Sequence, residues 1–113
     1  MSGTSFDGVD AALIETDGLN YFKYLKSSYV KYTEFERELY FESILKNYKK
    51  ITRVINRKHI LAIRKLLTNT SKKVDIIGLH GQTFSHSPEQ SWTWQYIDSQ
   101  LISCEFKIRV ISD

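Results

Sequence analysis

The first ten residues form a stretch of small and hydroxyl-bearing residues that leads directly into an apolar run. The stretch reads Met-Ser-Gly-Thr-Ser-Phe-Asp-Gly-Val-Asp, and Ala-Ala-Leu-Ile follows it. Glycine lets backbone amides approach a ligand closely, and serine and threonine hydroxyls add hydrogen-bond donors. The pattern therefore predicts a turn that can cradle an oxyanion or phosphate. Flexible N-termini share this composition and most are merely solvated, so a solvated terminus is the alternative.

The segments after this loop alternate between strand-like and helix-like patterns. Residues 9–15 resemble a buried strand, residues 16–20 carry an Asp-Gly turn signal, and residues 21–32 are aromatic and β-branched with partial alternation. These patterns predict two antiparallel strands joined by a tight reversal. The elements predicted after residue 73 are a buried strand at 74–81, a short strand at 92–97, a short helix capped by Asp98 and a last strand at 107–112.

Two helices are predicted between these groups of strands. Thr33 is a suitable N-cap because acidic residues follow it in the first turns. The apolar residues at helical spacing in this first helix are Leu39, Phe41, Ile44, Leu45 and Tyr48. The second helix is predicted at about residues 52–68, with one apolar face formed by Val54, Ile55, Ala62, Ile63, Leu66 and Leu67. Arg53, Arg57, Arg64 and Lys65 are expected in solvent, and His59 is expected to pack at the apolar edge.

A second polar motif, at residues 80–88, follows the strand predicted at 74–81. It reads His-Gly-Gln-Thr-Phe-Ser-His-Ser-Pro. A metal site on His80 and His86 is disfavoured, because this spacing forms no close ligand pair on a strand or a helix without further partners.

A sugar-binding role suits this motif better. Gln82 and Thr83 offer several donors and acceptors to hydroxyl and amide groups. Trp92 or Trp94 can cover an apolar sugar face. Core packing of the two tryptophans is an equally good interpretation.

Four segments together resemble the anhydro-N-acetylmuramic acid kinases. Residues 1–8 match the signature Met-Ser-Gly-Thr-Ser-x-Asp-Gly, with Phe6 at the variable position. Residues 80–88 match the family's His-Gly-Gln-Thr-x-x-His-x-Pro segment. Thr-Trp-Gln at residues 93–95 and the terminal Val-Ile-Ser-Asp add further matches. Between residues 21 and 73 the chain fits the family only in the order of its elements.

The resemblance implies an α/β fold of the superfamily that includes acetate and sugar kinases, Hsp70 and actin. The expected architecture is the N-terminal lobe of an actin-like ATPase, with a ribonuclease-H-like core in which helices flank a mixed sheet. Residues 1–113 are then a single, partial lobe, because a chain of this length is one domain at most and sugar kinases mostly enclose their nucleotide between two lobes. ATP and Mg²⁺ are the implied cofactors, and an amino sugar is the implied small-molecule substrate.

The family motifs assign roles residue by residue. The resemblance places the ATP phosphates over Ser2, Gly3, Thr4, Ser5, Asp7 and Gly8. It places the amino sugar against His80, Gly81, Gln82, Thr83, Thr93 and Gln95. Asp7 then holds Mg²⁺ through water, because this ion prefers hard oxygen ligands and keeps several waters. Asp10 is a weaker candidate, and a turn or strand-edge carboxylate is the preferred interpretation for it.

Asp113 matches the family's catalytic aspartate. The resemblance implies that it is the general base, which takes a proton from the water that attacks the anomeric carbon, while O6 of the opening 1,6-anhydro ring receives the γ-phosphoryl group. One departure concerns the family's Gly-Asp-Gly after Thr-Trp-Gln, which is Ile97-Asp98-Ser99 here. If those glycines provide positive φ angles or close ligand approach, Ile97 strains that geometry.

Composition limits the other classes of function. Ten of the 16 lysines and arginines lie between Lys46 and Lys73. Apolar helix positions interrupt them and no nucleic-acid motif is present, which favours solvated helix faces over a nucleic-acid site.

The single cysteine, Cys104, excludes an internal disulfide and is expected to be buried in a helix. No apolar run reaches the roughly 20 residues that cross a bilayer, and no signal peptide is evident. We therefore expect a cytoplasmic protein without nucleic-acid or membrane partners.

The family converts 1,6-anhydro-N-acetylmuramic acid, ATP and water into N-acetylmuramic acid 6-phosphate and ADP during peptidoglycan recycling. We expect this chain to be a truncated, inactive remnant of such a kinase, because no second phosphate loop or adenosine-binding segment follows Asp113. The alternatives are half of a split protein, with a complementing C-terminal fragment as partner, and a non-catalytic basic binding module.

The purified chain alone should have no measurable kinase activity, because phosphoryl transfer depends on positioning and charge stabilisation from both sides of the nucleotide. The measurement is an assay for N-acetylmuramic acid 6-phosphate after incubation with the anhydro sugar, ATP and Mg²⁺. Product above the level of a protein-free control would contradict the prediction.

Overall fold

The computed structural model of the chain describes residues 1–43 and 48–112 in full and the backbone alone at 44–46. Helices and strands alternate in a mixed α/β arrangement, as the sequence predicts. In chain order the elements are β1 (Gly8–Thr16), β2 (Phe22–Lys31), α1 (Glu34–Lys46), α2 (Tyr48–Leu67), β3 (Ile76–Leu79), β4 (Gln82–Ser87), β5 (Trp92–Tyr96), α3 (Ser99–Phe106) and β6 (Arg109–Ser112).

The described strands pair two by two. β1 and β2 are antiparallel, as predicted, β4 and β5 form a second antiparallel hairpin, and β3 lies parallel to β6. A single parallel bridge between Ser2 and Gln82 joins the opening loop to the start of β4. The predicted Asp-Gly reversal between β1 and β2 is confirmed, since Asp17 Oδ1 accepts hydrogen bonds from three successive backbone amides, those of Leu19, Asn20 and Tyr21.

Side-chain caps mark the N-termini of α1 and α3. At α1 the Thr33 hydroxyl accepts a hydrogen bond from the Glu36 amide at 3.2 Å, and the Glu36 carboxylate accepts one from the Thr33 amide at 2.7 Å. This reciprocal capping box satisfies two amides that the helix leaves unpaired. The predicted cap of α3 is also confirmed, because Asp98 Oδ1 accepts a hydrogen bond from the Leu101 amide at 2.9 Å.

Helix α2 packs against the β1–β2 hairpin with the predicted face. Ile55 and Ala62 are fully buried, and Ile63 and Leu66 are nearly so. The four basic residues expected in solvent are exposed, and His59 is buried as expected. The Ser28 hydroxyl of β2 donates to the Ala62 carbonyl at 2.7 Å and so fixes the helix on the hairpin.

Aromatic rings form a continuous stack that runs from the larger core to the surface. Phe6 lies between Tyr32 and Tyr40, with ring centroids 3.8 and 4.0 Å away. Phe84 of β4 follows at 5.6 Å from Tyr40, and Trp94 of β5 follows at 5.0 Å from Phe84. We call these five residues the aromatic column. It joins the opening loop, α1 and the β4–β5 hairpin.

The predicted inner face of α1 is wrong in part. Among the described side chains of α1, Tyr40 and Ser43 are buried, whereas Phe41 is 58% exposed. Tyr48, predicted on the same face, starts α2 and is 64% exposed. Helix α1 turns Tyr40 toward the aromatic column, which carries the neighbouring Phe41 outward. The side chains of Ile44 and Leu45 lie outside the part of the chain that the structure describes.

Two burial predictions in the last third of the chain are also wrong. Cys104 is exposed on α3, because Ile102 takes the buried position of that short helix. The strand predicted at 74–81 is only four residues long, and Ile76 is 46% exposed within it. β3 is hydrogen-bonded to β6 along one edge, so it is not enclosed as a central strand would be.

Replacing Phe6 by alanine should destabilise the fold by about 3–5 kcal/mol, because the substitution leaves a cavity between Tyr32 and Tyr40. The matched control is Phe35→Ala, since Phe35 is 72% exposed, and this change should stay within about 0.5 kcal/mol. Urea unfolding of both variants measures the difference. Equal free energies of unfolding would show that the aromatic column does not support the loop.

Candidate functional site

The opening loop and the segment that begins at His80 lie side by side, although they are far apart in sequence. The Ser2 amide donates to the Gly81 carbonyl at 3.1 Å, and the Ser2 carbonyl accepts a hydrogen bond from the Thr83 amide at 2.9 Å. The Ser2 hydroxyl donates to the Gly8 carbonyl at 2.8 Å and closes the loop on itself. The two predicted motifs therefore form one surface.

Gln82 supports the opening loop from the protein interior. Its side chain is fully buried, and Nε2 donates to the Gly3 carbonyl at 2.7 Å and to the Thr83 carbonyl at 2.9 Å. The Ser2 hydroxyl is likewise used inside the protein. In this structure Ser2 and Gln82 support the loop, and any ligand contact by their side chains stays a prediction.

The residues that the loop presents to solvent are Gly3, Thr4, Ser5 and Asp7. Between Ser5 and Asp7, the Phe6 backbone has φ +47°, a left-handed conformation that bulky residues rarely adopt. Burial of the Phe6 ring in the aromatic column directs the backbone on both sides of it outward. Phe6, at the variable position of the motif, is thus the residue that fixes the loop on the core, and no sequence pattern indicates this role.

Asp7 is the anionic group of this surface. The Ser5 hydroxyl donates to Asp7 Oδ1 at 2.7 Å, and this bond, together with backbone amides and the charge of Arg37, holds the pKa of Asp7 below its usual value. The carboxylate is therefore ionised at neutral pH and exposed, which suits binding of a hydrated Mg²⁺. Arg37, at the start of α1, is a neighbour that no sequence pattern identified. Among the described residues no three acidic, histidine or cysteine side chains cluster to chelate a metal ion directly.

Two glycines lie in close packing at this site, and the backbone contact and positive φ at Gly81 require glycine there. The ring of Tyr29 lies against Gly8, where any Cβ would overlap it. Gly81 has φ +77°, and a Cβ there would overlap the Tyr96 carbonyl and approach Ile97. Both positions fit a loop whose backbone has to pass close to its neighbours.

The β4–β5 hairpin carries the other polar residues assigned to the sugar. The Gln95 amide donates to the Thr83 hydroxyl at 3.1 Å, and Thr93 Oγ1 lies 2.6 Å from His86 Nδ1. His80 and Thr93 are exposed, whereas Thr83 and Gln95 are half-buried. Thr83, Thr93 and Gln95 lie on the hairpin, and His80 lies just before its first strand.

The two tryptophans are exposed on this hairpin, so the interpretation as core residues is wrong. Trp92 is 44% and Trp94 is 59% exposed, and Trp94 contacts Phe84 with one face. A sugar contact for either ring stays a prediction. Ile97 does not have a positive φ, so the backbone strain considered for that position is absent here.

Asp113, the predicted general base, lies outside the described residues. The residue before it, Ser112, ends β6 and pairs with Leu79, which directly precedes His80.

His59 lies beneath the joined motifs. It is 1% exposed, and its Nδ1 is 2.8 Å from the Ile55 carbonyl. Burial lowers the pKa of His59 to about 4, and the nearby Met1 ammonium acts in the same direction, whereas the carbonyls of Ile55 and Gly81 oppose the shift. The imidazole is therefore neutral at pH 7.

The family model described as anhydro-N-acetylmuramic acid kinase matches residues 1–113. This chain belongs to the anhydro-N-acetylmuramic acid kinase family. Anhydro-N-acetylmuramic acid kinases from Rhizorhabdus wittichii, Zymomonas mobilis and Gluconobacter oxydans are 36%, 31% and 36% identical to the chain over its whole length.

The chain spans about a third of the length of these curated relatives, with shares of 35%, 36% and 34%. The matches extend through the middle of the chain, where sequence patterns alone gave only an order of elements. Within the described residues, no helix is long and apolar enough to span a membrane.

Acidification should destabilise the protein through His59. The folded state keeps this imidazole neutral down to about pH 4, whereas the unfolded chain takes up the proton near pH 6.5. The contribution of His59 to the free energy of unfolding is therefore constant above pH 6.5. It falls by about 3 kcal/mol in total as the pH decreases from 6.5 to 4.

The His59→Gln variant should flatten that part of the pH profile, because glutamine does not titrate. The same titration of the unchanged chain is the control. Free energies of unfolding measured by urea titration at successive pH values provide the test. An unchanged slope in His59→Gln would contradict the assignment.

Proposed function

We propose that this chain supplies the phosphate-facing loop and the amino-sugar hairpin of an anhydro-N-acetylmuramic acid kinase. The observation that supports this most strongly is the set of hydrogen bonds between the backbone of Ser2 and Gly3 and the segment at residues 81–83, in which the Ser2 amide donates and the Ser2 and Gly3 carbonyls accept. These bonds join the two family motifs into one surface, on which the reacting phosphate and the sugar oxygen can meet. Positioning of this kind is the main contribution that a kinase makes to phosphoryl transfer.

The loop is proposed to face the phosphates of ATP. Its exposed glycine, hydroxyl groups and backbone amides are suitable partners for phosphate oxygens. Asp7 is proposed to hold Mg²⁺ through water, and this ion neutralises charge on the phosphates when it is bound. The lowered pKa of Asp7 supports this role, because the carboxylate stays ionised.

The β4–β5 hairpin is proposed to face the amino sugar. Thr83, Thr93 and Gln95 carry hydroxyl and amide groups that can pair with the hydroxyl and N-acetyl groups of the substrate. Trp94 presents an exposed ring that can cover an apolar sugar face. His80 and Gly81 continue this surface toward the loop.

Asp113 is proposed to act as the general base. It would take a proton from water as the water oxygen bonds to the anomeric carbon and the bond from that carbon to O6 breaks. O6 then takes the γ-phosphoryl group of ATP, which leaves ADP. Ser112, its described neighbour, ends a strand paired with Leu79 beside His80, and this supports a position near the sugar.

The chain is proposed to be part of a ribonuclease-H-like N-terminal lobe in a cytoplasmic enzyme of peptidoglycan recycling. Because the relatives are about three times longer, the nucleotide would be enclosed together with residues that this chain does not contain. A complementing C-terminal segment is therefore the proposed partner.

A chimera tests this function. The matching third of the Rhizorhabdus wittichii relative is replaced by this chain, and formation of N-acetylmuramic acid 6-phosphate and ADP is measured. The chimera should be active, and Asp113→Asn should lower kcat at least a hundredfold with little change in the sugar KM, in the range typical of a lost general base.

Further variants of the chimera separate the proposed roles. Asp7→Asn should raise the Mg²⁺ concentration needed for half-maximal activity. Glu38→Gln, which changes an exposed acid on α1, should leave that concentration unchanged. If the chimera is inactive and gains activity when Ile97 and Ser99 are both changed to glycine, the chain is a remnant whose hairpin has lost its catalytic geometry. Full activity of Asp113→Asn would contradict the proposed mechanism.

A further inference from the structure

Lys58 is a buried lysine that the proposed mechanism does not use. It projects from α2 toward the end of β2 and is 8% exposed. Its ammonium lies 2.7 Å from a carboxylate oxygen of Glu36 and donates to the Lys31 carbonyl at 2.9 Å. The same ammonium lies 5.7 Å from the centroid of the Tyr32 ring, within the range of a cation–π contact. Groups from α1 and from the end of β2 therefore compensate the buried charge.

The ion pair of Lys58 and Glu36 is costly to bury. Apolar side chains of similar volume often stabilise such a position equally well or better. Burial acts to raise the pKa of Glu36, but hydrogen bonds from Lys58 and Thr33 outweigh it and hold this pKa below its usual value. The carboxylate is therefore ionised at neutral pH, and it fixes the ammonium beside β2. Stability alone is a weak reason for a lysine at this position.

The bond to the Lys31 carbonyl connects Lys58 to the opening loop through one peptide unit. The C=O of Lys31 and the N–H of Tyr32 belong to the same trans peptide and point in opposite directions. The C=O accepts a hydrogen bond from Lys58, and the N–H donates to the Asp7 carbonyl at 2.9 Å. A donor that polarises the C=O strengthens the hydrogen bond that the N–H makes. The buried charge of Lys58 therefore acts on the backbone of Asp7 across this peptide.

The Tyr32 side chain contacts the same part of the loop. Its ring stacks on the ring of Phe6, with centroids 3.8 Å apart. The Tyr32 backbone thus holds Asp7, while its ring holds the residue before Asp7. Lys58 is placed against both the peptide and the ring of Tyr32, so it fixes the element that supports both loop residues.

We propose that Lys58 is a positioning residue for Asp7. Its ammonium fixes the peptide between Lys31 and Tyr32, and this peptide holds the Asp7 backbone so that the carboxylate faces outward toward Mg²⁺. The consequence for Mg²⁺ rests on the proposed function, whereas the effect on the Asp7 backbone does not. Lys58 acts through the peptide and not by contact with a ligand.

Two variants separate positioning from general stability. Glu36→Gln removes the carboxylate charge, keeps a side chain that can complete the capping box with Thr33, and leaves Lys58 free to bond the Lys31 carbonyl. Adding Lys58→Met to Glu36→Gln removes that bond with a side chain of similar length and leaves no charge of this pair buried. Glu36→Gln is therefore the matched control for the double variant. Lys58→Arg in the otherwise unchanged chain is the conservative replacement.

The measurement is amide hydrogen exchange at Tyr32 and at Val30 in the 113-residue chain. Val30 pairs with Val9 between the same two strands and reports general stability. The double variant should speed exchange at Tyr32 relative to Val30 by about tenfold or more, as expected for one lost hydrogen bond to a charged group. Glu36→Gln and Lys58→Arg should leave this ratio close to its original value.

The chimera with the Rhizorhabdus wittichii relative tests the consequence for the metal ion. The double variant should raise the Mg²⁺ concentration for half-maximal activity severalfold relative to Glu36→Gln, with little change in the KM for the sugar. A chimera that is inactive before these changes would contradict the proposed function, whereas the exchange ratio would still decide whether Lys58 positions Asp7.

Two results would overturn the inference. Equal acceleration of exchange at Tyr32 and Val30 would show that Lys58 stabilises the protein as a whole. An unchanged Mg²⁺ requirement in an active chimera would show that the effect of Lys58 does not reach the Asp7 carboxylate.

Discussion

The packing of Phe6 between Tyr32 and Tyr40 determines the shape of the opening loop. A left-handed conformation costs free energy for an aromatic residue, and burial of the ring in two stacked contacts offsets that cost. With the ring fixed, the backbone on either side turns outward, so that Ser5 and Asp7 face solvent. The same stack continues through Phe84 to Trp94, and it therefore links the loop to the hairpin that carries the proposed sugar contacts.

Hydrogen bonds also hold the opening loop in position. Ser2 and Gln82 use their polar groups inside the protein, where they hold the backbone of the loop against the segment after His80. The buried donors Ser2 Oγ and Gln82 Nε2 specify one arrangement, because a shifted loop would leave them unpaired. The exposed groups of the loop are thus positioned before any ligand arrives, which is the condition that positional catalysis requires.

Much of the fold follows from local patterns in the sequence. The Asp-Gly reversal, the caps at Thr33 and Asp98 and the apolar face of α2 depend on interactions within a few residues, and the structure confirms them. The short β3 strand, the inner face of α1 and the exposure of Cys104 differ from the prediction, because each depends on a partner distant in sequence. Tyr40 faces inward since Phe6 and Phe84 are there, and nothing near Tyr40 in sequence indicates this.

The sequence by itself determined the family of this protein, since the residue types and spacing of its two polar motifs are specific without any coordinates. It also determined the residues that can bear charge and donate hydrogen bonds at the site. Tertiary structure alone decided which of them remain available, because burial of Ser2 and Gln82 depends on contacts between segments about 80 positions apart, 79 in the case of Gln82 and Gly3.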